Sequence, residues 1–154
     1  MVNFWYHHSL WLMGRSDLNL DASYSGGPTS PADLRVLLMM TNQTAEGETD
    51  ATTIGGFTDI DEHPDNQRPS LANESYQKND SADRTELHAD DTVFTALSTS
   101  VRQVDAALLY IFITDLASSV PLGFIDTGGF PFSPTGADNT INWHANGVLQ
   151  LSTA

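Results

Sequence analysis

Cysteine is absent from this 154-residue chain, which removes disulfides, thiolate metal centres, iron–sulfur clusters and cysteine nucleophiles together. Basic residues are nearly as scarce. Six Lys and Arg stand against twenty Asp and Glu, a formal net charge of −14, and the six (Arg15, Arg35, Arg68, Lys78, Arg84, Arg102) are scattered. Neutralising phosphates takes clustered cations, so neither nucleic acid nor an anionic membrane is expected as a partner. Long apolar runs are missing too. The longest, Ala106–Ile113, has strand length rather than membrane-spanning length. No Gly-x-Ser-x-Gly elbow, His-Glu-x-x-His pair, phosphate-cradling Gly-Lys loop or strand-borne Gly-x-Gly-x-x-Gly occurs. The chain is therefore expected to be no enzyme, with no cofactor and no small-molecule substrate. Asp90, Asp91 and Asp126 offer paired carboxylates for glycoside hydrolysis, which needs two acids about 5–10 Å apart. Acids at strand ends are more commonly turn formers or solvated.

What is present reads as one domain with a single core. Ala106–Ile113 is rich in aromatic and β-branched types and predicts a central, doubly covered strand. A buried helix over 101–113 competes, because Val101, Val104, Leu108 and Phe112 also keep a helical spacing. Turn residues Ala117-Ser118-Ser119 and the short apolar segment Val120–Asp126 follow, so the pair predicts an antiparallel hairpin. Ala32–Met40 carries conflicting signals. Ser30-Pro31-Ala32-Asp33 looks like a helix start, whereas Leu34, Val36, Leu38 and Met40 alternate like a strand. Glu86–Phe94 is strand-like, 130–138 is a Pro/Gly loop, and Asn146-Gly147 between Asn139–Trp143 and Val148–Leu151 is a hairpin signal. The count is five or six strands. An all-β fold follows, an antiparallel β-sandwich or barrel.

Two segments fall outside this pattern. Residues 1–30 form an aromatic arm and linker, and 31–154 the β domain with a polar insertion at about 41–86. Met1–Met13 lacks the basic start and the cleavage site of a signal peptide. Its aromatic and aliphatic side chains imply docking, on the chain's own core or on a partner. Phe4, Trp5, Tyr6, Leu10, Trp11 and Leu12 are the interface candidates. By contrast, Trp143 is expected in the core beside Ile141, on one face of a strand. His7-His8 is read as packing or surface rather than metal. Residues 41–86 hold eleven acids against three bases. They predict a long acidic surface loop pinned by Ile54, Phe57, Ile60, Leu71 and Tyr76, or fixed by a neighbour. Asp59–Asn66 resembles a Ca²⁺ loop but lacks the glycine and distal glutamate of the EF-hand template, and a solvated loop is the simpler reading; no metal is expected.

Four stretches carry a family likeness: Leu87–Phe94 (LHADDTVF), Ala107–Phe112 (ALLYIF), Pro121–Gly129 (PLGFIDTGG) and Asn139–Leu151 (NTINWHANGVLQL). In this order they resemble small virion structural proteins of tailed bacteriophages. Those proteins show a leucine-plus-ADD strand, an alanine-tyrosine strand, a leucine-glycine-aromatic-isoleucine-aspartate strand and a closing tryptophan-x-alanine-asparagine-glycine hairpin. Ala32–Met40 is similar to their first strand, which favours strand there. The likeness spans about 33–40 and 84–152, and excludes the aromatic arm and most of the acidic segment. It implies a capsid decoration (cement) protein on the virion's capsid exterior. Its implied partners are the major capsid protein and itself, as a homo-oligomer with a trimer favoured. A tail or baseplate structural protein and a carbohydrate-binding β-sandwich are the alternatives.

Overall fold

The computed structural model describes residues 3–14, 33–99 and 102–152. The linker, Ser100, Val101 and the extreme termini lie outside them. Strand β1 (Asn3–Trp5) and helix α1 (His7–Gly14) are followed by β2 (Leu34–Met40), β3 (Ser75–Asn79), β4 (Arg84–His88) and β5 (Thr92–Phe94). Then come β6 (Val104–Ile111), β7 (Val120–Ile125), β8 (Asn139–Ile141) and β9 (Leu149–Ser152). All pairings are antiparallel and make three sheets, ordered β1-β7-β6-β2, β3-β4-β9 and β5-β8. The chain is all-β in character, and Leu34–Met40 of the ambiguous segment is a strand.

β6 lies between β7 and β2 because it is apolar on both faces, as a doubly covered strand must be. Ala107, Leu109 and Ile111 point to one core, with Leu34, Val36 and Leu38 of β2 and Leu122 and Ile125 of β7. Ala106, Leu108 and Tyr110 point to the other, with Leu37, Met39 and Phe124. A register shift at Met39/Met40 turns Val104 onto the first face. Pro121 cannot donate to a ladder, and a second shift, at Leu109/Tyr110, accommodates it opposite Tyr110.

The first face is covered by Leu87 of β4, Phe94 of β5 and Leu149 of β9. Gly123 of β7 makes room for this layer, since a Cβ there would fall 2.6 Å from Leu149 Cδ1. The second face is covered by the acidic segment, through Ala45 and Ile54 with Phe57 and Ile60 beside them. Leu71 and Tyr76 reach the first face, so the five expected pins all meet a core. The segment is also less of a loop than its composition predicts. It contains β3 and the start of β4, and residues 61–71 run antiparallel beside β2. Met40 N donates to Asp61 O (2.8 Å), His63 N to Leu38 O (2.9 Å) and Leu71 N to Leu34 O (2.8 Å). This covers the free edge of β2, which would otherwise present unpaired backbone groups.

The closing hairpin is not formed as expected. The Asn146-Gly147 turn exists, with Gly147 at φ 95° and its N–H on His144 O at 2.8 Å. The strands either side of it separate: β8 pairs with β5, and β9 with β4. Burial decides the partner, because Val148 and Leu149 enter the first core over β4. The expected strand Glu86–Phe94 is likewise two strands. Asp90 N donates to Ala72 O (2.9 Å) between them, where the chain passes from one small sheet to the other.

Candidate functional site

The aromatic arm is tied into its own chain. β1 adds to the edge of β7, pairing Trp5 with Gly123, and Tyr6 N donates to Leu122 O (3.1 Å). Trp5 is 9% exposed, sits in the first core and donates its indole N–H to Gln150 O at 2.8 Å. Tyr6 is fully buried in the second core, where its hydroxyl donates to Ala45 O (2.9 Å) and burial pushes the phenol pKa up. These two interface candidates are therefore core residues of their own chain, and the expectation that Trp5 lies at a contact between chains is corrected. Leu12 is half-buried, and the side chains of Phe4, Leu10 and Trp11 lie outside those described. Trp143, expected in the core, is only half-buried. β8 ends at Ile141, but Trp143 still packs against the first core, as Ile141 does.

The arm and the acidic segment meet. Beyond the Tyr6–Ala45 bond, His7 N donates to Thr49 O (3.2 Å), His7 Nδ1 lies 2.6 Å from an Asp50 oxygen, and the rings of Tyr6 and Phe57 are 5.5 Å apart. The arm and the acidic segment thus form one continuous surface over the second face of the sheet. Glu46, Asp50 and Asp59 are exposed on it. Burying Ile54, Phe57 and Ile60 contributes roughly 1.5–3 kcal/mol for each side chain fully removed from water, against roughly 0–1 for an exposed ion pair, so apolar contact holds the layer down.

Three other carboxylates of the segment, Asp61, Glu62 and Asp65, are tied to protein donors. Asp61 forms a two-oxygen contact with Arg102, whose guanidinium holds the carboxyl below its usual range. Glu62 pairs with Arg68 at 2.7 and 2.6 Å. Asp65 accepts from Ser98 N and Oγ, both at 2.7 Å, which lowers its pKa. The acids of the Ca²⁺-like stretch 59–66 therefore diverge toward protein donors. Among the described residues no three His, Asp or Glu are grouped to hold a metal ion.

Asp90 and Asp91 are also tied to protein donors, one to a side-chain amide and one to the backbone. Asp90 accepts from Asn73 Nδ2 (2.6 Å), and Asp91 from Trp143 N (2.9 Å). A denser polar cluster, one the sequence does not advertise, lies on β4. Glu86, almost wholly buried, accepts from Arg84 Nε (2.6 Å) and Asn79 Nδ2 (3.0 Å), and lies 2.8 Å from His88 Nε2. Arg84 first, then Asn79, lower its pKa from 4.5 to about 2. A depressed carboxyl pKa stabilises the fold above the unfolded value, and that contribution is lost as pH falls from 4.5 toward about 2. Urea unfolding of wild type and Glu86→Gln across this window should show the two stabilities converging as the pH falls, with wild type the more stable at neutral pH. A gap that stays constant would contradict the assignment.

Tyr110 of β6 is fully buried, and its hydroxyl finds no partner among the described residues. Burial pushes its pKa up to about 12. A buried hydroxyl without a partner costs desolvation energy, so Tyr110→Phe should be neutral or stabilise by up to about 1 kcal/mol. A urea midpoint corresponding to a loss of more than about 1 kcal/mol would show the hydroxyl to be satisfied in solution.

No family model matches the chain, and neither a curated protein nor a solved structure matches it. Among the described residues no helix is long and apolar enough to cross a membrane.

Proposed function

We propose that this chain is a bacteriophage virion structural protein, a head decoration protein that attaches to the capsid shell at subunit junctions. The reading rests on the likeness of residues 33–40 and 84–152 to phage virion proteins. In this view the fold is a two-layered sandwich in which the smaller sheets cover one face of the main sheet.

The observation that favours a binding role is the convergence of the two segments outside the likeness. The arm and the acidic segment lie together over the other face of the main sheet, joined through Tyr6–Ala45 and His7–Asp50. A shared scaffold would thus present one chain-specific surface. Its outward acids, Glu46, Asp50 and Asp59, suit a basic rim on a capsid shell and repel packaged nucleic acid. Assembly as a trimer accompanies this reading, since a closed cyclic oligomer fits a three-fold junction. Light scattering from a monomer would remove that part.

The test is retention on purified shells. Attachment should weaken as NaCl is raised from about 50 to about 500 mM, because an exposed charge contact is screened over roughly 8 Å at physiological salt. Glu46→Lys with Asp50→Lys should also weaken attachment, and Glu46→Lys alone should do so without lowering the melting temperature, since Asp50 also holds His7. Salt-insensitive attachment, unchanged by the charge reversals, would contradict an acidic docking face.

A further inference from the structure

A groove of 510 Å³ opens where the β8–β9 connection passes the ends of β1 and β7. Two of the chain's three tryptophans line it. Trp143 is held by two hydrogen bonds, from its indole Nε1 to Thr92 Oγ1 (3.1 Å) and from its backbone N to Asp91 Oδ1 (2.9 Å). The ring is therefore fixed in place while still half-exposed. Trp5, nearly buried and bonded to Gln150 O, backs the same groove.

Around these rings stand Thr127, Asn142, His144 and Gln150. The Asn142 amide donates to Thr140 O over a long 3.5 Å and is exposed. His144 Nδ1 accepts from Asn146 N at 3.1 Å, which leaves Nε2 as the N–H of the neutral ring. Among the described residues no Asp, Glu, Lys or Arg lines the groove.

We propose that this groove binds a neutral oligosaccharide. A sugar ring offers an apolar C–H face, which stacks on a fixed indole, and hydroxyls that both donate and accept, which pair with amide, hydroxyl and imidazole groups. Binding loses less entropy when the platform is already ordered, as the two bonds to Trp143 ensure. The volume lies in the range of ligand sites, with room for roughly two or three pyranose rings. Neutrality of the ligand follows from the lining and from the net charge of −14, which repels uronic or phosphorylated glycans.

An extended peptide added to the edge of β9 is disfavoured, because Gln150 O already accepts the Trp5 indole. The groove also has a continuation. A second hollow of 220 Å³, containing Phe130 and Phe132, shares Gly128 and Ile141 with it. A Cβ built at Gly128, on the border of the two hollows, would meet nothing within 4 Å.

The experiment is a glycan array carrying neutral and anionic oligosaccharides, with a peptide array in parallel, probed with the full chain. Hits are then titrated by tryptophan fluorescence. Neutral glycans should bind. Trp143→Ala should weaken binding roughly tenfold or more. Asn142→Ala should weaken it with an unchanged melting temperature, and so decides the matter if the Trp143 variant folds poorly. No neutral-glycan binding, preference for anionic glycans or peptides, or affinity that survives both substitutions would overturn the proposal. It does not depend on the virion reading: a chain that coats heads without binding glycans, or binds glycans but is missing from particles, separates the two.

Discussion

Replacing Trp5 by alanine should destabilise the isolated chain by about 3–5 kcal/mol, the range for removing a buried tryptophan. The side chain is 9% exposed and is one wall of the first core, against which Leu149 of β9 and Leu122 of β7 also pack. Its indole N–H further joins β1 to β9 through Gln150 O, a contact spanning nearly the whole chain. Loss of that bond adds roughly 1 kcal/mol to the cavity cost. For a chain of this length the melting temperature should fall by on the order of 10 °C. Trp143→Ala should cost about half as much, because Trp143 is only partly removed from water. Urea titrations of the two variants decide the order. If Trp143→Ala were the more damaging, the placement of Trp5 in the core would be wrong.

Gly147→Ala should cost about 2–4 kcal/mol, with the damage localised to the β4–β9 pair. Gly147 holds φ 95°, a conformation that side chains rarely adopt, and a Cβ there would lie 2.6 Å from Leu87 O. That carbonyl accepts the Val148 N–H at 2.6 Å, the bond that starts β9 along β4. Alanine must therefore pay for positive-φ strain of about 1–3 kcal/mol and also displace this bond. Gly128 is the control. It too has a positive φ, 73°, but a Cβ there meets nothing, so Gly128→Ala should cost the strain alone. Hydrogen exchange of the β9 amides should rise in the Gly147 variant and stay as in wild type in the Gly128 variant. Equal costs at the two positions would contradict the clash.

The same residues show what a single sequence discloses. The β6–β7 hairpin was legible because its information is local: an apolar run, a Ser-rich turn and a second apolar run, expected at 106–113 and 120–126 and found at 104–111 and 120–125. The Asn146-Gly147 turn was legible for the same reason, since Asn-Gly favours positive φ. Which strands it joins was not. The partner of β9 is chosen by burial of Leu149 against Leu87 and Gly123, contacts remote in sequence. The arm posed the same difficulty. Its aromatics announced that they must be covered, while the strand that covers them, β7, lies more than a hundred residues away. The acids of the 59–66 stretch looked solvated because no spacing pattern marks Arg102 as the partner of Asp61, 41 residues on. The groove beside Trp143 was hidden because its walls come from β1, β7 and β9 at once.

The central claim, a decoration protein on the head exterior, is tested most directly by imaging phage particles that carry this chain with a tag on the acidic face, for example in the turn at Gly47 between Glu46 and Glu48. The reading predicts label distributed over the head shell at subunit junctions, in many copies per particle. Label confined to the tail or baseplate, or absent from purified particles, would contradict it.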